Sequence, residues 1–128
     1  MDDLSLGVPQ PLLDRLPDDE GAAAADMQEA VAGWEQRLNE AIAATDDDRE
    51  AATVVLEAID RFEQRYETYD DLVPELRAWG QSPIYAIVWR TLYADVIAQL
   101  YDHDELGDHL ERERNQRLVE DGIRLQDL

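Results

Sequence analysis

The chain's two histidines, His103 and His109, stand among Asp102, Asp104, Glu105, Asp108 and Glu113. On an α-helix Glu105, His109 and Glu113 step by four and share one face. Imidazole and carboxylate together suit zinc, iron or manganese, so these three are the candidate metal ligands. The spacing argues against them. A di-metal site in a helical bundle uses Glu-x-x-His, and the residues three before the histidines are Leu100 and Leu106. With 31 acids in 128 residues, any histidine here acquires carboxylate neighbours.

A second pattern is Asp26-x-x-Glu29 together with Glu57-x-x-Asp60. On two facing helices such pairs could hold magnesium against a triphosphate. They resemble the paired acidic motifs of the MazG-like all-α nucleotide pyrophosphohydrolases, and that resemblance implies a metal-dependent hydrolase. It covers two tetrapeptides, with Asp26 where Glu is usual, and arginine would have to replace the lysines such sites use on phosphate. Acidic pairs at this spacing occur at eight places in the chain, about as many as its composition yields by chance.

Little else is equipped for catalysis. The absence of cysteine removes disulfides, iron–sulfur clusters, cysteine-bearing zinc sites and thiol nucleophiles, and fits a reducing cytosol. Ser5 and Ser82 are the only serines; Ser82 reads as a helix cap and neither has a histidine nearby. No glycine-rich phosphate loop and no cofactor motif is present. Arg112, Arg114, Arg117 and Arg124 are interleaved with acids. They leave no positive footprint, so nucleic acid is not an expected partner.

The elements that would position these groups are helical. Residues 1–19 hold Pro9, Pro11 and Pro17, which break regular structure, yet their five leucines suit an irregular arm packed on the body. Residues 20–128 read as one helical-bundle domain. A first helix over 20–45 carries Met27, Val31, Trp34, Leu38, Ala41 and Ile42, stepping by four and three. Asp46–Asp48 should cap a second, carrying Val55, Ile59, Phe62, Tyr66 and Tyr69. Pro74 should end it near Leu72 or Val73, with a short helix over 74–79 stopped by Gly80. A third, opened by Ser82 as cap and Pro83 at its first position, is apolar almost all round. Besides Arg90, only a narrow strip of Thr91, Asp95 and Gln99 at spacing four is polar, which marks a central helix with Trp89, Leu92 and Val96 buried. A fourth, from about Asp104 to Leu125, carries Leu106, Leu110, Leu118 and Leu125. The expected fold is all-α, an antiparallel bundle of about four helices.

Aromatic residues concentrate between Phe62 and Tyr101, as a core between the second and third helices would require. Trp89 and Tyr93 are the candidates to face a second subunit, because aromatics are favoured at interfaces.

Composition sets the environment. Acids outnumber basic residues 31 to 11, and all 11 basic residues are arginine. The acids are spread along a chain that is 45% hydrophobic, so they solubilise a folded surface rather than a disordered tail. This resembles the composition of proteins from salt-in halophiles. The start, Met1-Asp2-Asp3-Leu4, has no basic region or apolar run, so no targeting segment is expected. Arg90 and Asp95 interrupt the most apolar stretch, which argues against a membrane span. The leading expectation is a cytoplasmic, non-enzymatic adaptor or regulatory protein, with a protein partner or a second copy of itself. Its net charge of −20 yields the first prediction. The screening length is about 10 Å at 0.1 M salt and about 3 Å at 1 M, so the folded body's self-repulsion fades as salt rises. Thermal melts followed by circular dichroism should show a higher midpoint in molar KCl than in dilute buffer; equal midpoints contradict the habitat.

Overall fold

The computed structural model describes residues 3–16, 21–103 and 106–126. Five helices follow in order: α1 Gln10–Leu13, α2 Gly21–Ala43, α3 Asp48–Ala78, α4 Ile84–Tyr101 and α5 Leu106–Gln126. They pack together with no strand among the described residues, and the fold is all-α.

The one-turn α1 is the element beyond the four long helices. Pro9 precedes it and Pro11 lies in its first turn, where a fixed φ and a missing N–H do no harm. Leu12 of α1 and Leu4 before it are buried. Two amide side chains hold this arm by its main chain. Asn39 of α2 accepts from the Leu4 N–H at 2.7 Å and donates to the Leu4 carbonyl at 3.0 Å. Gln99 of α4 does the same to Gly7, at 3.0 and 2.9 Å. The Leu6 N–H adds a bond to the Glu35 carboxylate at 2.8 Å. Gln99, from the polar strip on α4, thus holds the arm together with Asn39 and Glu35 of α2. Asp95 accepts from Gln99 Nε2 at 2.7 Å and is half-buried.

The Asp47 carboxylate caps α3 by accepting from the Glu50 N–H at 2.8 Å, while the Glu50 carboxylate accepts from the Asp46 N–H at 3.0 Å. Contrary to expectation, α3 does not stop before Pro74. It runs through to Ala78. Proline removes one i→i−4 bond, to the Asp70 carbonyl. Contacts with α4 on the preceding turn offset that loss, with Tyr69 stacked on Trp89 and the Asp70 carboxylate holding Arg90. The end comes at Gly80, at φ +73°. Its N–H reaches the Arg77 carbonyl at 3.1 Å and the Gln81 N–H reaches that of Leu76 at 2.9 Å, the paired closure that a left-handed glycine allows.

Helix α4 begins one residue later than expected. Pro83 takes the cap position with no side-chain cap bond, and Ser82 Oγ lies 3.5 Å from the Ile84 N–H, too far for a strong bond. Leu92 and Val96 are buried as expected, but Trp89 is half-buried on the core's flank. The hub is also placed differently. α3 packs on α2, α4 and α5, whereas α4 packs on α3, α5 and α1. At about 1.5 Å per residue, the 31-residue α3 is long enough to meet all its long neighbours. A Cβ on Gly107, near the start of α5, would fall 2.3 Å from the Tyr101 carbonyl oxygen at the end of α4, which requires glycine there.

Equilibrium unfolding should separate core from arm. Leu92→Ala should cost about 2–5 kcal/mol as a core cavity, and Asn39→Ala about 1–2 kcal/mol as two lost hydrogen bonds. Hydrogen exchange should quicken at the Leu4 amide in the Asn39 variant. Unchanged protection there means that Asn39 does not hold the arm.

Candidate functional site

The sequence's metal candidates are drawn to α3 instead of to one another. His109 Nε2 lies 3.7 Å from Asp48 Oδ2, an ion pair only when the imidazole is protonated. Glu113 Oε1 accepts from Arg49 Nε at 3.1 Å, so its carboxylate already has a cation. Glu105 lies outside the described residues. His103 supports the start of α5, where its Nδ1 accepts from the Leu106 N–H at 3.1 Å. Among the described residues no group of three or more histidine, aspartate or glutamate side chains could hold a metal ion.

Asp26 and Glu29 are exposed on α2 and border a shallow depression with Gly33, Gln36 and Arg37. Glu57 and Asp60 are exposed on α3, and Asp60 Oδ2 accepts from Arg117 Nη1 at 3.3 Å. No three of these four carboxylates meet.

What the fold does assemble is a groove of about 410 Å³ between α2 and α3. Trp34, Arg37, Leu38 and Ala41 line it from α2, and Val54, Ala58, Arg61, Phe62 and Arg65 from α3. These are spacings of three and four, so each set is one helix face. Tyr93 of α4 completes the lining. The ring centroids of Trp34, Phe62 and Tyr93 lie 5.0, 5.2 and 6.0 Å apart, within the range of favourable aromatic pairs. Tyr69 and Trp89 extend the cluster at 5.9 and 6.2 Å from Tyr93. Of the two residues singled out as interface candidates, Tyr93 is thus a buried ring at the groove's floor and Trp89 supports it from behind.

Arg37, Arg61 and Arg65 are all exposed. None forms an ion pair or hydrogen bond among the described residues, whereas Arg49, Arg90 and Arg117 each bind an acid. No acid lines the groove. Sequence reasoning missed this cluster because Arg37 and Arg61 are far apart in the chain. The available signal was local: Arg37 follows Trp34 by three, and Arg61 and Arg65 flank Phe62 by one and three.

The fold and site define an all-helical chain with an arginine-bordered aromatic groove. A model described as a family of unknown function (DUF7971) matches residues 1–127, and the chain belongs to that family. No curated protein and no solved structure matches it.

Burial pushes the Tyr93 phenol above the ordinary tyrosine pKa; the neighbouring Tyr69 adds to the rise and the Arg65 guanidinium opposes it. The unfolded chain therefore loses this proton first, near pH 10. Tyr93's contribution to stability is complete below that pH and is lost as pH rises through the folded value. Denaturation midpoints should fall across this alkaline window, and less steeply in Tyr93→Phe. Parallel curves for the two proteins would remove Tyr93 as the titrating group.

Proposed function

We propose that this chain is a non-enzymatic interaction protein, an adaptor or regulator in the cytoplasm of a salt-in halophile, and that a partner docks in the α2–α3 groove. One observation carries this reading. Acids outnumber arginines almost three to one in the chain, yet three arginines with no ion pair among the described residues, and no acid, line the groove. Its aromatic wall offers apolar contact, and arginine can bind carboxylate in bidentate fashion. The partner is accordingly a protein segment with an apolar anchor flanked by carboxylates, from another protein or from a second copy.

The arrangement of the helices suits this role. Phe62 meets Tyr93 while Tyr69 meets Trp89, so α3 and α4 run in opposite directions, as the antiparallel bundle we infer for the four long helices requires. No described helix is long and apolar enough to cross a membrane, which agrees with a partner met in solution. The metal-dependent hydrolase alternative draws no support from the placement of Asp26, Glu29, Glu57 and Asp60.

Charge reversal tests the assignment. In molar KCl, a partner captured by the wild-type chain should bind Arg61→Glu/Arg65→Glu at least about 10-fold more weakly, since charge-assisted bonds contribute about 1.5–3 kcal/mol each. Circular dichroism should show both proteins folded. Undiminished capture by the double variant takes the groove out of the reading.

A further inference from the structure

We propose that the seat of the N-terminal arm, between α2 and α4, is a docking site for an extended segment of another protein, one with a basic residue followed by an aliphatic one. The arm is the occupant that this segment displaces. The site lies apart from the α2–α3 groove. At about 100° per residue, Glu35 and Asn39 each stand about 160° around α2 from Arg37, so the two surfaces are on opposite flanks of one helix.

The way the arm is held marks the seat as a place for peptide. Asn39 and Gln99 each engage both the N–H and the carbonyl of one arm residue, Leu4 and Gly7. Glu35 takes the Leu6 N–H between them. Burial alternates along the arm, with Leu4 buried, Leu6 and Val8 packed partly buried, and Ser5 and Gly7 exposed, as in an extended chain. Main-chain bonds give such a seat affinity for any extended segment, and the pockets for alternate side chains give it selectivity. Here the selective position is that of Leu4, whose side chain is 3% exposed.

The arm itself is mismatched where it enters. Asp3 shares a depression of about 300 Å³ with Asp46, Asp47 and Asp48 at the turn into α3. The Asp47 carboxylate caps α3 and Asp48 faces His109. Among the described residues no cation pairs with Asp3 or Asp46. Like charges in one depression repel, most strongly in dilute salt. Lysine or arginine in the place of Asp3 would turn that repulsion into attraction to three carboxylates. Asp3 directly precedes Leu4, which fixes the order of the partner's two residues. The bonds to Gly7 are exposed, and contacts of this kind near a chain end open at low cost, so the arm yields to a better ligand.

Fluorescence anisotropy with peptides spanning residues 3–16 tests this, one of native sequence and one carrying Asp3→Arg. The receptor is the full chain with Leu4→Asp/Leu12→Asp, which vacates the seat, and circular dichroism checks its fold. It should bind the native peptide at least about 100-fold more tightly than the wild-type chain does, because a tethered arm competes at about millimolar effective concentration. The Asp3→Arg peptide should bind about 10-fold more tightly again, and the margin should widen as KCl is lowered. Adding Asn39→Ala/Gln99→Ala to the receptor should weaken both peptides at least about 10-fold. In the isotope-labelled wild-type chain, excess Asp3→Arg peptide should quicken hydrogen exchange at the Leu4, Leu6 and Gly7 amides, a measurement that does not need the receptor variant to fold. A folded receptor that binds neither peptide, or binds them regardless of Asn39 and Gln99, overturns the docking site. Unchanged exchange at those three amides does the same if the receptor variant fails to fold. Equal affinity for the two peptides overturns the basic residue as the partner's mark. None of these results bears on the groove, which depends on Arg61 and Arg65.

Discussion

The contact on which the most depends is the one between Tyr93 and its four aromatic neighbours. Trp34 arrives from α2, Phe62 and Tyr69 from α3, and Trp89 from α4 itself. Three long helices meet through one ring. Aromatic pairs at these separations contribute about 0.5–1.5 kcal/mol beyond their burial, but their geometric consequence is larger. Trp34, Phe62 and Tyr93 also line the groove between α2 and α3. The cluster therefore builds the core and shapes the surface above it.

The distribution of charge follows from the same arrangement. A chain with 31 acids and 11 arginines can neutralise each arginine several times over. α3 does so on one side, where Arg49 and Asp60 tie it to α5 and Asp70 ties it to α4. On its other side Arg61 and Arg65 have no ion pair among the described residues. Exposed ion pairs of the first kind contribute about 0–1 kcal/mol each, so they set the register of the helices more than their stability. Unpaired arginines beside an aromatic surface keep their bonding capacity for something else.

Helical periodicity made much of this fold legible. The Met27–Val31–Leu38 face, the Val55–Ile59–Phe62 face and the buried Leu92 and Val96 are where spacing by three and four places them. Two local rules misled. A proline is a stop signal in isolation, but α3 absorbs Pro74 because the preceding turn is already packed on α4. A serine before a proline reads as a cap, but Ser82 sits too far from the first free N–H. The groove was illegible for a different reason. Its residues come from three helices, and nothing in the chain between Arg37 and Arg61 announces that two stripes will share a wall.

The bracketing of the arm by Asn39 and Gln99 has a consequence for how this family can vary. Both amides read main-chain atoms of Leu4 and Gly7, not their side chains, and a Cβ on Gly7 would meet nothing within 4 Å. Leu4 and Leu12 are buried, and Leu6, Val8 and Leu16 pack partly buried against the core. The arm is thus recognised as backbone, much as an edge strand is by its neighbour. Ser5 and Gly7 are then free to drift among homologues without moving the helices beneath, whereas Asn39 and Gln99, distant from the arm in sequence, would be bound to change in step with its path.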